Sequence, residues 1–230
     1  MKHLRLLVVL LLLTGTSLPA FSFARQGNWR WRNDDGTDVT ATWKAAENTP
    51  FTLTHRDNIR LRVKMFNVSD EHGPMGPNQV GLGYSYDGGI NWSPITNDPG
   101  SNHFVYAAST HFTNQSPSTQ LLSPLPLYSF TTGSMFDTYS TTNQYPSLPA
   151  STETELEFCI RATNEALDAT VYDFRIIVGE TEQVQTIALD TVSTTLTTAF
   201  GAAQVPLSLW GLIFAGLLII SGSVLIVKRF

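Results

Sequence analysis

The chain has 230 residues, of which 42% are hydrophobic and only 14% are charged, and its formal net charge is −5. The charges are unevenly distributed, because the stretch from Arg25 to Gln204 holds ten Lys and Arg against nineteen Asp and Glu. An acidic stretch without a basic block argues against nucleic acid and anionic lipid surfaces as partners, since both need clustered Lys and Arg. A stretch of about 180 residues is long enough for one domain with its own core.

The N-terminal segment follows the plan of a signal peptide. Lys2 and Arg5 make a basic start, Leu6–Leu13 is an uninterrupted apolar run, and the small residues Ser22 and Ala24 lie three and one positions before Arg25. We predict a signal peptide over residues 1–24 with cleavage near Ala24. The alternative is a signal anchor that stays uncut, but the apolar run is too short to cross a bilayer core of ~30 Å.

Alternation of apolar and polar residues predicts β-strands through the middle of the chain. The predicted strands are Trp29–Arg32, Val39–Trp43, Asn58–Asn67, Gln79–Tyr86, Asn91–Ile95, Phe104–Ala107, Glu155–Arg161, Ala169–Val178 and Val184–Ala188. Short strands separated by Asp-Gly, Pro-Gly and Gly-Pro breaks are typical of a β-sandwich. We therefore expect an all-β fold, a single immunoglobulin-like β-sandwich over residues 25–190.

Two of these strands carry specific expectations about faces and pairing. In Asn58–Asn67 the apolar residues alternate with Arg60, Arg62 and Lys64, which predicts a half-buried strand with a solvated basic face. The strands Glu155–Arg161 and Ala169–Val178 are separated by turn residues and are predicted to pair as a hairpin.

The segment Ser109–Thr152 is rich in Ser, Thr, Gln, Asn and Pro and nearly uncharged. Its aromatic residues are Tyr128, Phe130, Phe136, Tyr139 and Tyr145. A long loop of this kind is either functional or poorly ordered. Because exposed aromatics among small polar residues suit carbohydrate or protein recognition, we expect this segment to be a contact surface.

A tight hairpin turn is predicted after the strand Gln79–Tyr86. Ser85, Asp87, Gly89 and Trp92 fit the Asp-box pattern of sialidase-like propellers, in which the Asp caps turn amides, Gly permits positive φ and Trp packs over the turn. The pattern occurs in one copy without a surrounding propeller. We interpret it as a structural turn, not as a sign of a glycosidase.

Longer stretches resemble a group of bacterial secreted β-sandwich modules that have no established chemistry. Arg30–Gly36, Thr40–Trp43 and Ala45–Thr49 are similar to the opening of those modules, and Tyr84–Trp92 is similar to their Tyr-Ser-x-Asp-Gly-Gly-x-x-Trp stretch. The resemblance implies a β-sandwich outside the cytoplasm.

Residues that could carry chemistry are few. The oxygen-rich run Asn33–Asp38 could hold Ca²⁺ or form a solvated turn, and its spacing favours the turn because the order of an EF-hand loop is missing. Cys159 is the single cysteine, which excludes an internal disulfide and suits a packed residue better than a nucleophile. His103 and His111 are too weak a pair to predict a metal site. We expect no catalytic site, metal or cofactor.

The C-terminal segment predicts a membrane-spanning helix. A polar spacer over residues 191–204 precedes Leu207–Val227, about twenty uncharged residues, which is long enough to cross a bilayer. Lys228 and Arg229 then close the chain, and by the positive-inside rule they stay cytoplasmic. The topology predicts one pass through the inner membrane with the domain outside the cytoplasm.

The residues around the start of that helix resemble a C-terminal sorting signal. They are Val205, Pro206, Leu207, Ser208, Trp210 and Gly211, followed by the apolar span and the basic pair Lys228 and Arg229. The segment over residues 205–230 is similar to the IPTL-CTERM type and its PEP-CTERM relatives of Gram-negative bacteria. The resemblance implies that an exosortase-type protease in the membrane removes the tail. A plain stop-transfer anchor is the alternative.

Taken together, the sequence predicts an exported bacterial cell-envelope protein, tethered to the membrane or processed, with a structural or adhesive role and a glycan or protein ligand. The alternatives are a carbohydrate-binding module and a periplasmic subunit of an envelope complex.

Overall fold

The computed structural model describes residues 24–68, 74–178, 185–186, 188–189 and 193–201. The chain divides into two compact units, Met1–Ala199 and Phe200–Phe230, and every strand described below belongs to the first. The predicted signal peptide, sorting motif and C-terminal helix lie outside the described residues, except Ala24. Within the described ranges no helix is long and apolar enough to cross a membrane.

The described part of the chain is all-β and contains no helix. Its strands are β1 (Ala24–Asn33), β2 (Thr52–Leu53), β3 (Ile59–Asn67), β4 (Val80–Ser85), β5 (Ser93–Pro94), β6 (Phe104–Tyr106), β7 (Ser116–Ser118), β8 (Ser129–Phe130), β9 (Gly133–Phe136), β10 (Thr152–Ala162), β11 (Val171–Val178), β12 (Gln185–Thr186), β13 (Ala188–Leu189) and β14 (Thr194–Thr198). The all-β expectation is therefore confirmed for these residues.

The strands form two mixed sheets. The first has the order β13-β1-β3-β10-β9-β7, with β6 and β8 also paired to β10. Its centre is antiparallel, because β3 pairs antiparallel with both β1 and β10, whereas β8 and β9 run parallel to β10. The second sheet has the order β2-β14-β11-β4-β5, with β12 paired to β11.

The apolar core lies where the inner faces of the two sheets meet. Ile59, Leu61 and Val63 alternate along β3 and are fully buried, as the strand period of two requires. The Trp31 ring packs edge-on against Phe174 of the second sheet, with ring centroids 5.1 Å apart. The Trp31 indole N–H also donates to the carbonyl oxygen of Thr195 at 3.0 Å, so this side chain joins the sheets by packing and by a hydrogen bond.

The opposite face of the first sheet is buried as well, and this overturns one prediction. Arg60, Arg62 and Lys64 were expected in solvent, but each is fully buried. The cover is supplied mainly by residues 109–151, which we call the covering segment. Alternation correctly separates the two faces of β3, but it carries no information on what lies over the charged one.

Two other predictions about strands are wrong. The strand Ala169–Val178 does form β11, but β11 pairs with β4 and β14 in the second sheet and does not form a hairpin with β10. Val39–Trp43 forms turns, with a single β-bridge from Trp43 to Arg32. For β11 the pairing was decided by contacts with strands distant in the sequence, which local alternation does not report.

Candidate binding surface

Oppositely charged side chains face each other across β3 and β10. In the strand register Lys64 lies opposite Glu155, and Arg62 lies opposite Glu157. Residues opposite each other on antiparallel strands bring their side chains together, and the diagonal neighbours are within reach of long side chains. We call the outward-facing residues of β1, β3 and β10 the charged face, and its members are Arg32, Arg60, Arg62, Lys64, Glu153, Glu155 and Glu157.

Glu157 is the centre of the charged face. Its carboxylate accepts from Arg32 Nη1 at 2.9 Å, from Arg62 Nε at 2.7 Å and from Arg60 Nη1 at 3.3 Å. Glu155 accepts from Arg62 at 3.2 Å. All five side chains are essentially inaccessible to solvent, so the pairs are charge-assisted and unscreened. Three arginines share two glutamates here, so these charges form a network rather than separate pairs.

The covering segment closes the charged face with backbone groups. The amide N–H groups of Leu121 and Leu122 donate to Glu155 at 3.0 and 2.8 Å. In the other direction Lys64 Nζ donates to the carbonyl oxygen of Ser123 at 2.6 Å, and to Glu153 of β10 at 2.8 Å. The covering segment therefore supplies both donors and acceptors to buried charges, which would otherwise be costly.

The oxygen-rich run near the end of β1 belongs to the same network. Asp34 and Asp38 pair with Arg60 and Arg62 respectively, and Asp38 also accepts from the backbone N–H of Thr119 at 3.0 Å. The prediction of a solvated turn is therefore wrong for these two carboxylates. They are engaged by guanidinium groups rather than directed toward solvent.

Ionisation in the charged face reflects a balance of burial and pairing. Burial raises the pKa of Glu155 above its usual range, although backbone donors and Arg62 oppose that change. Burial also disfavours the charged form of Arg62, but the carboxylates of Glu157, Asp38 and Glu155 outweigh it and raise the Arg62 pKa. A face whose charges are matched internally is suited to holding the fold together rather than to binding a ligand.

The aromatic residues of the covering segment point largely inward. Phe136 and Tyr145 are buried, and Tyr128 packs edge-on against Phe66 of β3 at 5.5 Å. None of the five aromatics on which the predicted contact surface depended is exposed. The exposed apolar residue of this segment is Leu127, at 97% exposure and with φ of 70°.

A cluster of aromatic side chains lies elsewhere, at the end of the domain formed by β4, β6 and β11. We call it the aromatic end, and its members are Tyr84, Tyr86, His103, Phe104 and Tyr172. The Tyr86 ring lies 4.7 Å from the His103 ring, which in turn stacks on Tyr84 at 5.6 Å. Tyr86 is 51% exposed and His103 is half-buried, so the outer side of the cluster meets solvent.

A hydrogen-bond chain fixes the orientation of the His103 ring. The backbone N–H of Leu167 donates to the Tyr172 hydroxyl at 2.8 Å, and that hydroxyl is hydrogen-bonded to His103 Nδ1 at 2.9 Å. Burial lowers the pKa of His103, which favours the neutral imidazole. The aromatic end thus presents an oriented imidazole ring beside an exposed phenol ring.

The Asp-box-like turn lies directly after β4, next to Tyr86. Asp87 accepts from the backbone N–H groups of Ile90 and Asn91, both at 3.0 Å, and from the Ser85 hydroxyl at 2.7 Å. The Trp92 indole N–H donates to the Gly89 carbonyl oxygen at 3.0 Å. The hydrogen bonds from Asn91 and Ser85 lower the pKa of Asp87 to about 2. This turn fixes the chain that carries Tyr86.

A pocket of about 310 Å³ opens near the same end of the first sheet, and Arg56, Arg161 and Thr163 contribute to its wall. The backbone N–H of Thr163 donates to the carbonyl oxygen of His103 at 2.9 Å. The pocket and the aromatic end therefore share one loop. Sequence reasoning missed both features, because their members come from distant strands.

The remaining predicted residues divide into two groups. Ala24 begins β1, where it is buried and pairs with Asn67. Ser22 and the sorting residues from Val205 onward lie outside the described residues. Cys159 is a buried free thiol, and burial raises its pKa. Among the described side chains no group of three or more His, Cys, Asp or Glu could hold a metal ion.

Comparison with known proteins gives no relative from which a function could be transferred. No family model matches the chain, and neither curated proteins nor solved structures show a significant similarity to it.

Proposed function

We propose that the chain is an exported bacterial cell-envelope protein with an adhesive or binding role at the surface, built on a single immunoglobulin-like β-sandwich. The N-terminal and C-terminal segments support export and tethering through their sequence patterns. The two sheets with a shared apolar core support the sandwich.

The observation that carries the proposed role is the half-open aromatic end. Tyr86 exposes about half of its surface although its ring packs on His103, and Leu167, whose backbone N–H donates to the Tyr172 hydroxyl, is 47% exposed. Aromatic rings with a polar edge are enriched where proteins bind partners, because they offer a large apolar face and a hydrogen-bonding group together. His103 adds a polar imidazole edge beside the ring.

The rest of the domain supports a binding role through rigidity. The Asp87 turn and the Tyr172–His103 hydrogen bond hold the exposed rings in place before any ligand arrives. A binding surface that is already ordered loses less conformational entropy when it binds. The charged face contributes stability behind this surface.

The proposed export and C-terminal processing are tested by the intact mass of the protein isolated from a Gram-negative host. Loss of residues 1–24 and of the tail from near Val205 supports export and sorting, while retention of the tail supports a plain anchor. A mass that includes residues 1–24 contradicts export with signal cleavage.

The proposed binding role is tested by presenting the full chain to an array of neutral and acidic surface glycans and to whole bacterial cells. Saturable binding to either is the expected result. If the protein melts cooperatively, and is therefore folded, but binds neither glycans nor cells, an adhesive role is contradicted and a purely structural role is left.

A further inference from the structure

The exposed cations of the domain converge on one place. All ten Lys and Arg between Arg25 and Gln204 are described, and the two that are largely exposed to solvent are Arg56 and Arg161. Four others are buried in the charged face. Both exposed arginines line the pocket of about 310 Å³. The remaining cations, Arg25, Arg30, Lys44 and Arg175, are half-buried and do not line this pocket.

Strand geometry places Arg161 on the outer side of the first sheet, and Arg56 reaches the same pocket from a loop. Arg161 lies on β10 opposite Val105, two residues beyond Cys159 and therefore on the same side of the strand. Arg56 precedes β3, and its Nε donates to the carbonyl oxygen of Thr163 at 2.8 Å. That bond holds the Arg56 guanidinium against the pocket wall.

The pocket wall is held by hydrogen bonds that Thr163 donates to the loop carrying His103. The Thr163 hydroxyl donates to the carbonyl oxygen of Asn102 at 2.5 Å, and the Thr163 amide donates to that of His103. A ligand in the pocket would thus lie beside the loop that carries His103, and the His103 ring packs on Tyr86. The pocket and the aromatic end therefore adjoin the same loop, which runs from Pro99 to His103.

The lining of the pocket selects an anion. It contains two guanidinium groups, the Asn164 amide and no Asp or Glu. A guanidinium presents a planar pair of donors that matches a carboxylate better than a point charge does. The volume falls at the lower end of the range for small-molecule sites, roughly 300–1,000 Å³, which suits one sugar unit rather than a long peptide.

We propose that Arg56 and Arg161 bind the carboxylate of an acidic sugar, a uronate unit of a surface polysaccharide, while the aromatic end contacts the neighbouring sugar. This inference rests on the proposed binding role and names its ligand class. An acidic sugar satisfies both parts of the surface, because a ring face packs on an aromatic side chain and the carboxylate pairs with arginine.

The test is calorimetric titration of the full chain with oligogalacturonate, with a neutral oligosaccharide of equal length and with dextran sulfate as further probes. Arg161→Gln is expected to weaken oligogalacturonate binding by about tenfold or more, because a hydrogen bond between charged groups is lost. Lys44→Gln removes the same charge outside the pocket and is expected to change binding by less than about twofold. Arg161 is exposed, and an unchanged melting temperature of the variant verifies that it folds.

The outcomes separate this inference from the proposed role. The inference is supported if Arg161→Gln loses oligogalacturonate binding and if the natural protein binds dextran sulfate more weakly than oligogalacturonate. Equal losses in Arg161→Gln and Lys44→Gln overturn it, because they indicate unspecific charge attraction. Equal affinity for the neutral oligosaccharide overturns the ligand class but leaves the binding role intact. If the natural protein binds dextran sulfate more strongly than oligogalacturonate, the choice of a carboxylate ligand is overturned as well.

Discussion

The charged face and the aromatic end use polar and aromatic groups in opposite ways. On the charged face, Glu157 pairs with three arginines and the covering segment excludes water. At the aromatic end, Tyr86 packs on His103 on one side and meets solvent on the other. Buried charges need internal partners to be tolerated at all. The difference teaches that the charged groups of the charged face are taken up by internal pairing, whereas the aromatic end keeps polar and aromatic groups within reach of a ligand.

The largest expected effect tests whether the charged face stabilises the folded domain. Glu157→Gln removes the negative charge shared by Arg32, Arg60 and Arg62, and leaves three buried cations underpaired. We expect a loss of about 3–5 kcal/mol in the free energy of unfolding, a large part of the about 5–15 kcal/mol of a typical domain. Urea unfolding measures it.

Glu165→Gln is the matched control, because Glu165 is exposed and its replacement should change the unfolding free energy by less than about 0.5 kcal/mol. A loss below about 1 kcal/mol for Glu157→Gln would show that the buried pairs contribute little.

The attachment of the covering segment gives the next largest effect. A Cβ at Gly133 of β9 would overlap the carbonyl oxygen of Glu155 and lie 2.7 Å from the Ser118 hydroxyl oxygen. Gly133→Ala is therefore expected to push this segment off β10 and to cost about 1–3 kcal/mol of unfolding free energy.

Gly81→Ala provides the comparison for this substitution, because Gly81 is equally buried in β4 but its added Cβ meets Ile177 at an ordinary 3.4 Å. Faster proteolysis within residues 109–151 of Gly133→Ala than of Gly81→Ala is the expected pattern. Equal rates in the two variants would argue that the covering segment is not held by this close approach.

Periodicity along the chain predicts strands well where one face is apolar. It identifies β3, β4, β6, β10 and β11 within a few residues, because the alternation of two is imposed by the shared core. It could not predict which strand pairs with β11, since that choice depends on contacts over long sequence distances. Nor could it predict the cover of Arg62, because residues 109–151 have no periodic pattern.

Only part of the aromatic end could be predicted from the sequence. Tyr84 and Tyr86 alternate at the end of a predicted strand, which indicates that both rings lie on one side. Nothing in the sequence shows that His103 and Tyr172 join them, since each comes from a different strand. The same limit applies to Arg56 and Arg161, which are more than a hundred positions apart.

A smaller effect concerns pH and the imidazole at the aromatic end. Burial lowers the pKa of His103 below its ordinary value of 6.5, so the unfolded chain binds the proton more readily. Stability from this group is present above about pH 6.5 and is lost as the pH falls toward the folded pKa. Since the ring is half-exposed, we expect a change of less than about 1 kcal/mol.

His103→Asn keeps a side-chain acceptor for Tyr172 and removes the titrating group. Unfolding free energies at pH 7.5 and pH 5.5 should differ less in this variant than in the natural protein. An identical difference in both would exclude His103 as the source of the pH dependence.

The smallest expected effect is at the turn beside Tyr86. Asn91 and Ser85 donate to Asp87 and lower its pKa to about 2, below the usual value of 3.8. The stabilisation is therefore complete above about pH 4 and is lost as the pH falls through about 2. Asp87→Asn should abolish this component, and a carboxyl titration by NMR measures the pKa directly. A value near 3.8 would contradict the capping role.

The central claim is that binding resides at the aromatic end rather than on the covering segment, and one pair of variants tests it directly. Tyr86→Ala and Leu127→Ala each truncate an exposed large side chain, at the aromatic end and on the covering segment respectively. For both variants, binding is measured to the glycan or cell surface that the natural full chain binds most tightly. We expect Tyr86→Ala to weaken binding by about tenfold or more and Leu127→Ala to leave it unchanged. The reverse pattern would contradict this assignment and place the contact surface on the covering segment.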